Sequence, residues 1–542
     1  MSENKGIYDA RELGIPKMLI LGLQHMFAMF GATVLVPLLT GLDVATTLLC
    51  AGLGTLLFHL ITKLKVPAFL GSSFAFLGGY AAVTGLAGKP GYEDMTTAQL
   101  LPYACLGVAC AGLVYFILAA FIKAVGVNKV MKYFPPVVTG PIIICIGLGL
   151  AGSAINNCQA NWPIALVALG LVIVFNIWGK GMAKIIPILI GVLGSVAIAA
   201  VVAVAFGKPV EVDGNMFIAF NGNPTMQLFS VAALENLKTA AWIGLPIHKS
   251  ATILAIDWAK SSLIISSIIA IVPIALATMM EHIGDISAIS ATTGKNYIKD
   301  PGLHRTLVGD GLATTLASLV GGPANTTYGE NTGVLVLSKV YDPRVIRIAA
   351  GFAAVLSFCP KFAAFIELIP TAVIGGISFV LYGMISAAGV RNIVDTHVDF
   401  ANNRNLIIAA VILVTGLGLT GGATFTIGGV TITLTALAVA SLAGIILNAI
   451  LPGKDYDFEE EKPEDTGASL SSSVNAKHAE KSKKAIEKEE AKEEKKSKED
   501  KKTKETKKVK ETNKAEETKK AKETKEAEEK KEAEEESIPA EG

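Results

Sequence analysis

The feature that most constrains this fold is a polar break between two strongly apolar segments. It covers residues 321–333 and holds four glycines, one proline and one carboxylate, Glu330. Each unpaired backbone group in hydrocarbon is costly, so a lipid-facing helix does not have this composition. Such a sequence is tolerated at membrane depth where it is buried in protein or lines a wet cavity. We therefore predict a broken helix at a binding site, with Glu330 facing a small polar substrate.

The rest of the chain divides into an apolar body and a charged tail. The last 90 residues hold 52 of the 95 charged side chains, and the preceding body is typical of a polytopic membrane protein. We predict a cytoplasmic N-terminus over 1–14, a transporter domain over 15–452 and a disordered cytoplasmic tail over 453–542. The tail has 24 basic and 28 acidic residues, which argues against nucleic-acid or lipid binding. It is a solvated appendage or, alternatively, a docking segment for another protein.

Apolar segments divide the body into about fourteen spans, so the predicted fold class is an all-α polytopic membrane protein. The spans lie near 15–38, 43–62, 68–85, 101–122, 134–153, 163–178, 183–206, 264–290, 305–320, 322–338, 345–358, 364–388, 404–421 and 428–450. With the N-terminus inside, inward loops carry fifteen Lys and Arg residues and outward loops six, which agrees with the positive-inside rule. Both termini are then cytoplasmic. The long outward loop, about 207–262, is predicted to contain short strands and to serve as a connector, with a gating role as the alternative.

Three pairs of weakly similar motifs, the members of each pair seven spans apart, indicate an internal repeat. They pair Gln24-His25 with Glu281-His282, Ser72-Ser73-Phe74 with Thr326-Thr327-Tyr328, and residues 134–140 with residues 369–375. An odd number of spans per repeat forces inverted topology, which is a common plan of secondary transporters with the site at the breaks. The first repeat covers about 15–206 and the second about 264–450.

Ionisable side chains inside spans are energetically costly, so each is a candidate for function. Glu281 and Asp285 are four residues apart in the eighth span and share a helix face. Two carboxylates that close in a low-dielectric site cannot both ionise readily, so one should hold a proton near neutral pH. This pair is our candidate for proton coupling, with a structural role as the alternative. His282 points away from Glu281 and is predicted to be a packed histidine.

The breaks and the carboxylates together favour a neutral planar substrate. Half-helix N-termini offer N–H donors, whereas Glu281 and Glu330 offer acceptors and would repel an anion. Phe74, Tyr328 and Tyr382 are candidate flat walls for a ring, with ordinary packing as the alternative.

A second set of polar residues is predicted to support the site. Gln24 and His25 in the first span are predicted to hydrogen-bond to the core spans, with ligand contact as the alternative, and Ser72 and Ser73 belong to the third-span break. The six cysteines are scattered singly without metal-type spacing, so we predict no metal site and no cofactor. The spans contain no nucleophile elbow or phosphate loop, which argues against an enzyme.

Four motifs together resemble the nucleobase/ascorbate transporter family. They are QHMFAMFGAT at 24–33, GSSFAF at 71–76, EHIG at 281–284 and TTYGEN at 326–331. The resemblance covers about residues 11–452. It implies fourteen segments as two inverted sevens, arranged as a core domain and a gate domain, with short strands in segments 3 and 10. Relatives suggest a homodimer.

Within this family the chain looks most like bacterial members that transport uracil, which implies uracil–proton symport. Carried over by position, the implied substrate contacts are the side chains of Glu281 and Glu330, the backbone near Phe74 and Gly329, the neighbouring Tyr328, and Tyr382 on the gate side.

Two positions bear on the choice of substrate. Uracil transporters similar to this one often have histidine where this chain has Asp285, and purine-type relatives often have aspartate there. Those relatives, however, usually carry Gln-Asn in place of Glu330-Asn331. The prediction is a proton-coupled uracil importer of the bacterial plasma membrane. The alternatives are a xanthine or other purine permease and an anion transporter of similar fold, and the glutamates argue against the latter.

Overall fold

The computed structural model describes residues 6–427, 430–454 and 518–525. The chain divides into two compact units, Met1–Val474 and Asn475–Gly542. In the second unit the described residues, 518–525, are helical. Most of the tail that we predicted to be disordered, 453–542, lies outside the described residues.

The described part of the first unit is built mainly from twenty α-helices. They are α1 (Ile15–Thr40), α2 (Val44–Ile61), α3 (Leu77–Thr84), α4 (Thr97–Val125), α5 (Val127–Met131), α6 (Pro136–Gly149), α7 (Ala151–Gln159), α8 (Trp162–Trp178), α9 (Met182–Ile185), α10 (Pro187–Phe206), α11 (Val231–Thr239), α12 (Ser261–Ile271), α13 (Ala275–Thr293), α14 (Leu303–Leu319), α15 (Gly329–Ser338), α16 (Pro343–Leu356), α17 (Pro360–Glu367), α18 (Thr371–Asp395), α19 (Asn403–Gly418) and α20 (Ala436–Ile450).

Seven short strands accompany these helices in the same described part. They are β1 (Leu70–Ser72), β2 (Gly207–Val212), β3 (Asn215–Phe220), β4 (Gln227–Ser230), β5 (Asn325–Thr327), β6 (Ala423–Ile427) and β7 (Val430–Leu434). Strands β2, β3 and β4 form an antiparallel sheet, which confirms that the predicted outer loop contains short strands. Strands β6 and β7 form a hairpin, and β1 pairs with β5.

Local sequence explains where several helices begin. Asp43 caps α2 by accepting a hydrogen bond from the backbone N–H of Thr46 at 2.5 Å. Thr96 and Gln99 form a reciprocal capping box at the start of α4. Helices α6, α10 and α16 begin with proline, whose missing N–H would have no partner in a first turn.

The described helices include seven that are long and apolar enough to cross a membrane. The number is eight if α16 and α17, which are bent by 89° at their break, form one span. Four shorter apolar helices accompany them. The chain is therefore a mostly helical, multi-pass membrane protein, and the count of fourteen spans stays a prediction.

Two predicted boundaries are wrong. The fourteenth span was predicted over 428–450, but β7 occupies Val430–Leu434 and α20 begins only at Ala436. The twelfth span was predicted over 364–388, but α17 ends at Glu367 and α18 begins at Thr371. Pro370 explains the difference, because its ring and its missing N–H do not allow a helix to continue through it. Residues 364–367 instead belong to the bent pair of α16 and α17.

Helices pack in pairs that join the two halves of the chain. Helix α16 packs along α2, and α14 packs along α4. In the predicted internal repeat, α14 corresponds to α2 and α16 corresponds to α4. Under that correspondence each of these two helix contacts is the repeat-related copy of the other. Glycines allow α4 and α14 to approach closely, since a β-carbon on Gly112 would stand 2.7 Å from the carbonyl oxygen of Gly311. Small residues at such contacts are typical of helix packing in membranes.

Candidate functional site

The two breaks predicted from the sequence meet as an antiparallel pair of strands. In the register of β1 and β5, Gly71 lies opposite Thr326 and Ser72 opposite Asn325. The ladder continues beyond both strands, because Ser73 N–H donates to the Ala324 carbonyl at 2.9 Å and Tyr328 N–H donates to the Phe69 carbonyl at 3.0 Å. This pairing satisfies backbone groups that would be costly in hydrocarbon. The short strands expected in segments 3 and 10 are therefore present.

A helix begins directly after each strand. A 3₁₀ turn at Phe74–Phe76 leads into α3, and α15 begins at Gly329. The side chains of the two N-cap residues, Ser73 and Tyr328, do not cap these helices. Each break thus presents a helix N-terminus, where N–H groups and the helix dipole favour an acceptor oxygen.

Tyr328 holds the two breaks together. Its hydroxyl donates to the Ser72 carbonyl at 2.9 Å and accepts from Thr33 Oγ1 at 3.2 Å. Its ring lies against Gly71, where a β-carbon would stand 2.5 Å from Cε2. Tyr328 is only 5% exposed. The structure therefore gives Tyr328 a bracing contact in addition to the predicted position beside the ring site.

Helix α13 places a carboxylate against the start of α15. Asp285 Oδ2 accepts a hydrogen bond from Thr327 Oγ1 at 3.0 Å. The other carboxylate oxygen lies close to Gly329, since a β-carbon there would be 3.2 Å from Asp285 Oδ1. Asp285 is thus positioned at the junction between β5 and α15.

Behind Asp285 lies a fully buried imidazole and carboxylate. His282 Nδ1 is 3.3 Å from Thr327 Oγ1 and 3.5 Å from Asp310 Oδ2. Asp310 Oδ2 also accepts from Thr326 Oγ1 at 3.4 Å. Polar contacts therefore run from Asp285 through Thr327 to His282 and Asp310. His282 is fully buried, as a packed histidine would be, but its Nε2 atom hydrogen-bonds to no described residue.

The two candidate glutamates lie on α13 and at the start of α15. Glu281 lies one turn before Asp285 on α13, is half-buried, and has a buried Oε2 atom. Glu330 is the second residue of α15, so its backbone lies at the helix start that Asp285 faces. The side chain of Glu330 lies outside the described part of the structure.

The predicted aromatic walls from opposite parts of the chain touch each other. The rings of Phe74 and Tyr382 meet edge to face, with centroids 5.7 Å apart and planes at 81°. Both side chains are buried, and Tyr382 is on α18. Such an arrangement is favourable for aromatic pairs.

The predicted supporting residues divide between the break and α1. Ser72 and Ser73 are buried in the strand ladder. Gln24 and His25 are buried on α1, and neither ring nitrogen of His25 hydrogen-bonds to a described residue. Thr33 of α1 contacts the breaks through the hydroxyl of Tyr328.

Sequence reasoning missed two residues of this site. Asp310 is fully buried on α14, inside the ninth predicted span. Because carboxylates are rare within membrane spans, its position in the sequence could have identified it as a candidate. Thr33 carried no such signal, because a threonine in an apolar helix usually bonds to its own backbone.

No group of three or more His, Cys, Asp or Glu side chains arranged to hold a metal ion occurs among the described residues. The six cysteines are all free; Cys105 and Cys110 share α4, and the other four lie in separate helices or loops. The described groups at the breaks supply hydrogen-bond donors and acceptors, carboxylate oxygens and aromatic faces.

Solved structures show the fold. The transmembrane domain of a cyanobacterial bicarbonate transporter, BicA, aligns with a TM-score of 0.54 over 82% of this chain and 99% of its own, at 13% identity. The murine anion transporter solute carrier 26 family member A9, in an inward-facing state, aligns with a TM-score of 0.51 over 83% and 73%, at 9% identity. The fold is that of membrane transporters with inverted-repeat architecture.

Sequence comparison identifies the family within this class. The family model described as "Permease family" matches residues 16–424, so the chain belongs to that family, the nucleobase/ascorbate transporters. The uracil permease of Bacillus caldolyticus is 40% identical over 84% of this chain and 97% of its own length. That of Bacillus subtilis is 38% identical over 83% and 97%. The putative pyrimidine permease RutG of Escherichia coli is 37% identical over 81% and 90%. Permeases are transporters rather than enzymes.

Proposed function

We propose that this chain imports uracil together with protons by alternating access. The observation that carries the proposal is the contact of Asp285 with Thr327, which sets a titratable carboxylate against the start of α15 at 3.0 Å. Relatives named as uracil permeases, 40% and 38% identical over most of the chain, support the substrate.

The ring would be held between the two helix starts. Glu281 and Glu330 would accept hydrogen bonds from ring N–H groups, while backbone N–H groups near Phe74 and Gly329 would donate to the ring carbonyls. Uracil presents both kinds of group on one planar, neutral ring. Edge-to-face packing of Phe74 with Tyr382 offers an apolar boundary to such a ring.

Proton coupling is assigned to the pair Glu281 and Asp285. Since the two carboxylates share a face of α13, ionisation of one raises the cost of ionising the other. A substrate that hydrogen-bonds to Glu281 changes this balance, so substrate and proton binding become linked. His282 and Asp310, reached through Thr327, give the proton further buried acceptors.

The architecture that we propose has fourteen segments in two inverted sevens, 15–206 and 264–450, joined by the outer loop 207–262. A core domain containing the breaks would carry the substrate past a gate domain containing Tyr382. The protein would lie in a bacterial plasma membrane as a possible homodimer, with residues 1–14 and the tail 453–542 in the cytoplasm.

Uptake of radiolabelled uracil in a permease-deficient bacterial host tests the transport activity. Uptake should rise with an inward proton gradient and collapse when a protonophore is added. The matched control is the same host with the empty vector. Uptake that follows an imposed sodium gradient and ignores the protonophore would disprove the proton coupling.

Competition with unlabelled nucleobases tests the substrate. Excess unlabelled uracil should suppress the labelled uptake, and excess xanthine should leave it nearly unchanged. The uracil-named relatives do not favour the purine alternative raised by Asp285. Xanthine competing as well as uracil would nevertheless defeat the pyrimidine assignment.

A further inference from the structure

The short segment before α1 contacts three elements that are distant in sequence. We name this segment, residues 6–14, the N-terminal strap. It contains a 3₁₀ turn at Ala10–Leu13 and enters α1 through Gly14, whose φ of 78° places it in the left-handed region that favours glycine.

The strap is bonded to the end of α15. Ile7 N–H donates to the Lys339 carbonyl, and Tyr341 N–H donates to the Ile7 carbonyl, both at 2.8 Å. Lys339 is the residue that caps α15, in the left-handed conformation. Because β5 is paired with β1 at the other end, α15 is fixed at its start by the break and at its end by the strap.

The strap is also bonded to the end of α13. The hydroxyl of Tyr8 donates to the carbonyl of Thr293, the last residue of α13, at 2.6 Å. The ring of Tyr8 packs on Tyr341, with centroids 5.4 Å apart, and Lys295 Nζ lies 4.5 Å from the centre of the Tyr8 ring. One side chain of the strap therefore contacts both the end of α13 and the turn that follows α15.

Further contacts fix the strap to the start of α16. Ala10 N–H donates to Asp342 Oδ2 at 2.7 Å, and Arg344 Nη1 lies 2.8 Å from Asp9 Oδ1. Hydrogen bonds from Arg11 hold the pKa of Asp9 well below its usual range, so this carboxylate is charged. The ion pair is partly exposed and solvent screens it. The buried hydrogen bond of Ala10 and the backbone bonds of Ile7 therefore matter more.

Helices α13 and α15 are the two helices that carry the candidate carboxylates. Asp285 is eight residues before Thr293 and Glu330 is eight residues before Ser338, so the backbone of each is about 12 Å from the helix end that the strap holds. A rigid helix transmits a shift at one end to side chains at the other. The distance between Asp285 and the start of α15 thus depends on how firmly the strap joins the two helix ends.

We infer that Tyr8 and Ile7 are positioning residues for substrate binding, which they influence by fixing the ends of α13 and α15 relative to each other. This inference rests on the proposed function. It assigns to the strap an effect on substrate affinity that is transmitted through α13 and α15.

The variant Tyr8→Phe removes one hydrogen bond and retains the ring. We expect the KM for uracil uptake to rise about fivefold, the factor that corresponds to one net hydrogen bond, with Vmax within twofold of wild type. Tyr133→Phe is the matched control, since Tyr133 has an exposure of 49% against 46% for Tyr8 and precedes α6. This control should leave both constants unchanged.

The backbone hydrogen bond from Ile7 to Lys339 is tested by a second pair of variants. Ile7→Pro removes the N–H that donates to Lys339, whereas Ile7→Ala retains it, so only Ile7→Pro should raise KM. Hydrogen–deuterium exchange of the purified full-length chain gives a readout without substrate. Exchange in the last turns of α13 and α15 should be about fivefold faster in Tyr8→Phe than in wild type, with the strand pair unchanged.

The possible failures are distinguishable. No uracil uptake by the wild-type chain would defeat the proposed function and this inference with it. Normal uptake by wild type together with an unchanged KM in both Tyr8→Phe and Ile7→Pro would overturn the inference alone. Unchanged exchange at the two helix ends would overturn it as well, whatever the substrate.

Discussion

Gly71 lies against the ring of Tyr328, which belongs to the opposite half of the chain. A β-carbon on Gly71 would stand 2.5 Å and 2.6 Å from two ring carbons and 2.7 Å from Thr33 Oγ1. The hydroxyl of the same tyrosine donates to the carbonyl of Ser72. The two breaks therefore fit together only if the first of them has no side chain at this position.

Substitution of Gly71 by alanine tests this fit. The ring and Thr33 are both buried and cannot move away freely, so we expect a destabilisation of about 1–3 kcal/mol, typical of overpacking, and a strong loss of uracil uptake. Thermal unfolding of the purified protein in detergent measures the first effect. Gly78→Ala is the matched control, because nothing lies within 4 Å of a β-carbon there. Equal unfolding temperatures for the two variants would contradict the close fit.

Removal of the Asp310 carboxylate should destabilise the fold. Asp310 and His282 are both fully buried, and removing the carboxylate leaves a buried polar group without its partner, at a cost of about 1–3 kcal/mol. Asp310→Ala should therefore unfold at a lower temperature than wild type. The control Asp395→Ala removes an exposed ion pair with Arg391. We expect it to change the free energy of unfolding by no more than about 0.5 kcal/mol. An effect of Asp310→Ala no larger than that of the control would show that His282 does not depend on it.

Glu330→Gln should abolish uracil binding while the protein stays folded. The amide keeps the size of the side chain but replaces one acceptor oxygen with an N–H donor. Two donors, the amide N–H and the ring N–H, would then face each other, and no hydrogen bond could form between them. Equilibrium binding of labelled uracil to purified protein measures the effect, with the unfolding temperature as the control for folding. Wild-type affinity in this variant would show that the site is misplaced.

Glu281→Gln should separate substrate movement from proton movement. The variant removes one of the two titratable groups on the shared face of α13, so exchange of labelled for unlabelled uracil should persist while concentrative uptake is lost. Reconstituted vesicles with and without a proton gradient distinguish the two activities. Concentrative uptake equal to that of wild type would refute the coupling role.

Deletion of the chain after Lys454 should leave uracil transport within twofold of wild type. The last described contact near this end is the hydrogen bond from Asn402 Nδ2 to the Gly453 carbonyl, which the truncation retains. Transport kinetics at matched expression levels measure the result. A large fall in Vmax would instead favour the docking alternative for the tail.

The sequence predicted the position of both breaks, because glycine, proline and small polar residues are costly within a lipid-facing helix. It also related residues 72–74 to residues 326–328 through their weak similarity. The antiparallel register of β1 and β5 could not be predicted, because it depends on how α2, α14 and α1 surround the strands. For the same reason Tyr328 was predicted as a wall for a ring, and its hydroxyl bond to Ser72 was not foreseen.

Polar partners on separate helices were the hardest to predict. The spacing of Glu281 and Asp285 on one helix is visible in sequence, since residues four apart share a face. The approach of Asp310 to His282 depends on the rotation of α14 about its axis, which its packing on α4 decides. The strap was not predicted at all, because residues 6–14 are short, polar and without periodicity, and their partners lie near residues 293 and 340.

The hydrogen bond between Tyr328 and Ser72 joins residues that are 256 positions apart. During synthesis the first break therefore leaves the ribosome long before its partner exists. Until β5 arrives, the backbone of β1 cannot form its ladder, and open strand edges are not tolerated in contact with lipid. The early half of the nascent chain must keep this segment in water or against the insertion machinery. Transport-competent molecules can form only after most of the chain has been made.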